Sequence, residues 1–231
     1  MTPVAAPSSR PPIVYPDTDG KPMAENTLQF EWITTIKGGL DHLLADDPNV
    51  FVAGDLFWYP VEGRPEIVMA PDALVAFGRP KGHRLSYMQW EEGGIAPQVV
   101  FEVLSPNNRF GEMLRKFRFY RDYGVEEYYI YDPDPRRLEL SGFLRRGDDL
   151  AEVPSMNGHV SPRLKVRFEI DEQGLRLIRP DGQPFLTYEE LAKREAEHRQ
   201  GLEQERQRAE QAINEVERLR ERLRSLGQDP R

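Results

Sequence analysis

Glu102 is the one polar side chain in the hexapeptide VVFEVL, Val99–Leu104, which otherwise has the character of a buried strand. Side chains alternate between the two faces of a strand, so Val100, Glu102 and Leu104 share one face and Val99, Phe101 and Val103 the other. The same alternation in PDALVAF puts Asp72 on a row with Leu74 and Ala76, again an acid at the head of an apolar row. If the two strands are neighbours, their carboxylates meet at one end of a sheet. Unpaired in a dry site they repel, and one takes up a proton with a raised pKa. A divalent cation removes the conflict, because two carboxylates, a backbone carbonyl and waters form the hard oxygen set that magnesium takes at about 2.0–2.1 Å. A cation of the chain's own also stands within reach. Phe110, Met113, Leu114, Phe117 and Tyr120 make the apolar face of a following helix, and Lys116 lies at its edge, one turn after Glu112. A lysine there can polarise a scissile phosphate or help orient an attacking water. Plainer uses stay open on spacing alone: Glu102 and Lys116 as a structural ion pair, Asp72 as a turn or capping residue, Glu112 with Lys116 as a surface helix pair.

The elements that must position these residues follow from apolar period and punctuation. Leu28, Trp32, Ile36, Leu40, Leu43 and Leu44 recur every three or four residues, predicting a helix from Thr27 that ends at ADDPN, with Gly38-Gly39 as its weak point. VFVAGDLFWYP (Val50–Pro60) and APDALVAFG (Ala70–Gly78) are β-branched and aromatic runs bounded by Pro and Gly, hence strands. Strand Val99–Leu104, a helix from about Arg109 to Tyr123 and strand EYYIYD then predict a right-handed crossover between parallel neighbours, Gly124 standing where a helix C-cap is wanted. RLELSGFLRR and LKVRFEIDEQGLRLIRPDG read as further short antiparallel strands. Together these segments predict an α/β (α+β) domain over residues 23–187, preceded by a Pro-rich arm over 1–22 that carries no apolar period. Residues 188–227 predict a long exposed helix, and Ala209, Ala212, Val216, Leu219, Leu223 and Leu226 alternate steps of three and four, the seam of a coiled coil.

The chain has 231 residues, a net charge of −8 and no cysteine, which excludes a disulfide framework and thiolate metal sites. No apolar run approaches the roughly 18 residues that cross a bilayer, and the first residues lack the apolar core of a signal peptide, so no membrane role and a cytoplasmic address are expected. The acidic total hides a local excess. From Arg79 to Arg121, eight basic residues (Arg79, Lys81, Arg84, Arg109, Arg115, Lys116, Arg118, Arg121) face four acids (Glu91, Glu92, Glu102, Glu112), a balance of +4 suited to phosphate contacts. SYMQWEEGG within it reads as a mobile loop over the site, with Tyr87 and Trp90 as base or sugar contacts or as packed aromatics.

PDALVAF, VVFEVLSPNN and KFRFYRDYGVEEYYIYDP, taken together, closely resemble the Uma-type restriction endonuclease family, a branch of the PD-(D/E)XK nuclease superfamily; the likeness runs from about Glu25 to Pro180. The resemblance implies a restriction-endonuclease-like mixed β-sheet flanked by helices, usually paired as a homodimer. It also implies metal-dependent hydrolysis of DNA phosphodiesters with magnesium or manganese. Residue by residue, Asp72 matches the family's first metal-binding aspartate and Glu102 the second acid. The superfamily lysine, two residues after that acid, is replaced here by Leu104, and the family supplies it from the next helix, where Lys116 stands. Glu112 occupies a place where the family often has aspartate, and Glu25, Glu31 and Asp55 are candidates for an additional acid. A different use of such a fold stays open: a scaffold without catalysis whose C-terminal helix recruits partners.

Overall fold

The structure, a computed structural model, describes residues 13–18, 20 and 22–225. Most of the expected arm, residues 1–12, lies outside them, as does Leu226 of the expected seam. The first of two compact units ends at Phe185 and the second begins at Leu186.

In chain order the first unit contains α1 (Thr27–Leu43), β1 (Val50–Ala53), β2 (Trp58–Tyr59), β3 (Ala73–Phe77), β4 (Tyr87–Met88), β5 (Val99–Val103) and α2 (Phe110–Asp122). It continues with β6 (Glu127–Asp132), β7 (Glu139–Arg146), β8 (Asp149–Glu152), β9 (Arg167–Asp171) and β10 (Gly174–Ile178). Six strands form a mixed sheet in the order β1-β3-β5-β6-β7-β8, and β9 with β10 and β2 with β4 make two small separate pairs. β5 and β6 are parallel, joined through α2 as the strand-helix-strand pattern requires, while every other pairing in the large sheet is antiparallel. The second unit is α3 (Tyr188–Ser225), 38 residues long with none buried. No helix among the described residues is long and apolar enough to cross a membrane.

Alternation sorts the interior strands onto two cores. Leu74, Ala76, Val100 and Tyr128 pack with Phe119 and Tyr120 of α2 and with Trp58 and Tyr87. Ala73, Val75, Val99, Phe101 and Tyr129 face α1 and the β9–β10 hairpin, meeting Ile33, Ile36, Leu40, Phe168 and Leu177. The buried stripe of α1 follows the expected one from Trp32 onward, with Ile36 and Leu40 buried and Trp32, Leu43 and Leu44 packed on the same core; it differs at the start, where Gln29 points inward and Leu28 is exposed. Strands β4 and β8 had no readable signature, being two and four residues long with a single buried residue each.

Two expectations are corrected. SYMQWEEGG is packed, not mobile over a site: Tyr87 is fully buried and donates its hydroxyl to the Ile95 carbonyl (2.7 Å), and Trp58 Nε1 donates to Gln89 (3.0 Å). Trp90 stacks obliquely on Tyr15 (5.1 Å), whose ring also meets Tyr59 edge-on; Tyr59 in turn donates its hydroxyl to the Pro16 carbonyl (2.6 Å), so the described end of the expected arm lies on the domain. The local basic excess is likewise divided, because Arg79 and Arg84 both close on Glu92, at 2.8 and 2.5 Å.

The two glycines of α1 differ in surroundings. A Cβ on Gly39 would fall 2.1 Å from Phe185 Cδ2, while one on Gly38 would meet nothing within 4 Å. Gly38→Ala is therefore expected to stabilise the fold by about 0.5–1 kcal/mol, and Gly39→Ala to destabilise it by about 1–3 kcal/mol. Thermal or urea unfolding of the two variants, side by side, measures the opposite signs.

Candidate active site

The register of β3 on β5 pairs Leu74 with Val100 and Ala73 with Phe101, so one step further along the same line Asp72 stands opposite Glu102. The Glu102 charge is felt directly at the Asp72 carboxyl. Asp72 also accepts the Val103 amide on Oδ2 at 2.6 Å, which extends the strand pairing by a side chain. Gln29 of α1 donates Nε2 to the carbonyl of the same Val103 at 2.9 Å, tying the end of β5 to the helix on the other face.

Glu102 is 2 % exposed. Its Oε2 accepts from Lys116 Nζ at 2.6 Å and its Oε1 from the Tyr120 hydroxyl at 2.5 Å, both groups arriving from α2. Lys116 and Tyr120 are four residues apart, hence neighbours on one helical face. Sequence reasoning placed Lys116 here but missed Tyr120, because an aromatic on an apolar stripe reads as core and nothing in the sequence reveals where its hydroxyl points. Gln29 was missed too; its signal was a polar residue four before Ile33 on the buried stripe.

The electrostatics follow from burial. Asp72 is 8 % exposed, and its carboxyl is pushed well above the usual carboxylate range, chiefly by loss of water and next by the Glu102 charge; Lys116 and the Val103 amide oppose this without cancelling it. Burial works against the charge on Lys116, yet Glu102 and Asp72 outweigh it, so the ammonium binds its proton more tightly than an ordinary lysine. Desolvation and then Glu102 push the Tyr120 phenol well above its usual range, keeping it a donor. The neighbouring Tyr128 hydroxyl is buried without a partner.

Asp72 and Lys116 open onto a cleft of about 710 Å³. Glu25, Asp55, Ser105, Glu112 and Arg115 line it as well, and Glu102 lies behind its wall. Three of the four accessory acids thus reach the cleft. Glu25 accepts the Ser105 hydroxyl, and Asp55, in the left-handed region at φ 47°, donates its amide to the Pro71 carbonyl at 3.1 Å. Glu112 lies one turn before Lys116 on α2. Glu31 is exposed on α1 and does not line the cleft. Leu104 donates its amide to the Tyr131 carbonyl at 2.8 Å and lines a separate small pocket beside Pro106 and Asp132. Among the described residues, no group of three or more His, Cys, Asp or Glu side chains is placed to hold a metal ion.

Comparison with known proteins adds two likenesses. The sequence profile of the family described as "Uma2: Putative restriction endonuclease" matches residues 24–183. A solved structure, described as a "putative nuclease belonging to DUF820 from Anabaena variabilis ATCC 29413", is similar with a TM-score of 0.42 and 14 % identity, covering 63 % of this chain and 78 % of its own. No curated protein matches.

The carboxyl pair sets the pH dependence of stability. Asp72 binds its proton more tightly folded than unfolded, so stability falls as pH rises from the ordinary carboxylate range through its raised pKa. Asp72→Asn, which keeps an acceptor for the Val103 amide, removes that fall. In the absence of divalent cations its Tm should exceed wild type by about 2–4 °C at pH 8, with no gain at pH 3, in a calorimetric pH series. The two phenols should separate as well: Tyr120→Phe strips Glu102 of a donor and costs about 1–3 kcal/mol, whereas Tyr128→Phe removes an unpartnered hydroxyl and is neutral or stabilising in urea unfolding.

Proposed function

The chain belongs to the Uma2 family, described as "Putative restriction endonuclease", whose profile spans residues 24–183, and on that premise we propose that it is a metal-dependent endonuclease hydrolysing DNA phosphodiester bonds. The observation that carries this reading is the facing pair Asp72 and Glu102, with Asp72 forced toward its neutral form at the wall of an open cleft and Lys116 beside them. Glu102 needs no second carboxyl beside it, since Lys116 and Tyr120 already satisfy it, and an uncharged acceptor would serve the Val103 amide that Asp72 holds.

The donor set fits a hard divalent cation held by two carboxylates, with waters and substrate phosphate completing the shell. This is the mode usual for magnesium and needs no all-protein cage. Asp72 and Glu102 would hold it. Magnesium or manganese, when bound, neutralises charge on the phosphoryl oxygens and lowers the pKa of the attacking water. The chain's own residues prepare for this. Asp72, held toward its neutral form, would give up its proton to serve as a ligand. Tyr120 holds Glu102 Oε1 and so limits the rotation of that carboxylate. Lys116 keeps its charge across the working pH range; with one of its three protons committed to Glu102, it has donors left for a phosphate oxygen at the cleft. Arg115, on the same wall, adds a phosphate contact that positions a strand without reading its bases.

Purified protein with magnesium or manganese on plasmid and single-stranded DNA tests the reading. Cleavage that needs the added cation and vanishes in Asp72→Ala is expected. Lys116→Met should lower the rate by about 100-fold or more, the scale of losing one preorganised donor to developing charge. Absence of cleavage above the Asp72→Ala control with both cations and both substrates overturns it.

A further inference from the structure

The 38 residues of α3 bury none of their side chains. Helices of globular proteins draw most of their stability from packing an apolar face, and α3 carries such a face uncovered. Ile213, Val216 and Leu219 are 60, 47 and 49 % exposed. The C-terminal half fits the heptad pattern, with Ala209, Val216 and Leu223 at one seam position and Ala212 and Leu219 at the other. Earlier in the helix the same register interrupts Tyr188, Leu191 and Leu202 with Glu195, His198 and Glu205 on the seam, so the unbroken apolar contact is the stretch from Ala209 onward.

We propose that this stretch pairs with the same stretch of a second copy of the chain, as a parallel, in-register coiled coil. The occupant is chosen by charge. Residues just before one seam position and just after the other flank a two-stranded coil, and in a parallel pair each meets the other chain's residue five positions on. Glu215 then meets the partner copy's residue 220, an arginine, and symmetry makes the attraction twice. Arg208 meets position 213, an isoleucine, over which its aliphatic stem can lie. Alanines at 209 and 212 let the two backbones approach closely at the start of the seam.

Sedimentation velocity on the full chain tests this. The wild type should be dimeric in the micromolar range, and Leu219→Glu monomeric. The domain Tm should be unchanged, since Leu219 is exposed within a separate unit. Glu215→Arg and Arg220→Glu should each weaken association by about tenfold, two attractive pairs having become repulsive, and the double reversal should restore it. A monomeric wild type, a dimer that survives Leu219→Glu, or single reversals that the double does not rescue would each overturn the proposal.

Discussion

Glu102 lies on an interior strand of the six-stranded sheet with almost no surface exposed. An ionised carboxylate there is tolerable because an ammonium and a phenol occupy its two oxygens, and both come from one helix. The seating of α2 is therefore fixed at atomic tolerance by charge as well as by packing. Phe119 and Tyr120 press into the aromatic cluster around Trp58, and Arg145 of β7 donates to the carbonyls of Tyr120, Arg121 and Val125, closing the end of the helix. Each of these contacts keeps Lys116 where Glu102 needs it.

Much of this frame was legible in the sequence, because the two periods that report burial, two for strands and 3.6 for helices, are strong around the site. Asp72 and Glu102 betrayed themselves as acids on apolar rows; the stripe that pointed to Lys116 was less faithful, since Phe110 and Leu114 are exposed and α2 buries Phe119 beside Tyr120. Strand β6 appears at its expected limits, Glu127–Asp132. What failed to show needed tertiary contact to exist. The Tyr120 hydroxyl is polar only at its tip, and the amide of Gln29 is purposeful only once β5 ends beside it. In α1 the amphipathic stripe was misread only at its start, since Leu28 and Gln29 exchange the places that hydropathy alone assigns them.

Charge tells a related story about scale. The basic excess from Arg79 to Arg121 is real as a count but does not form one surface, because Glu92 collects two of the arginines and Glu102 takes Lys116. Arg84 also lays its guanidinium over the Phe51 ring, 3.8 Å from its centroid, a cation–π contact that covers the core. The cleft itself keeps Arg115 and Lys116 among several acids. A polyanion approaching such a wall meets attraction at few points.

The Val103 peptide group is gripped at both ends, its amide by Asp72 and its carbonyl by Gln29. A proton in a short bond to a carboxylate oxygen senses every change in that oxygen's charge. The backbone thus carries its own spectroscopic reporter: one amide resonance, remote from solvent, whose shift follows the ionisation of Asp72. It offers a view of the carboxyl pair that requires neither substrate nor turnover.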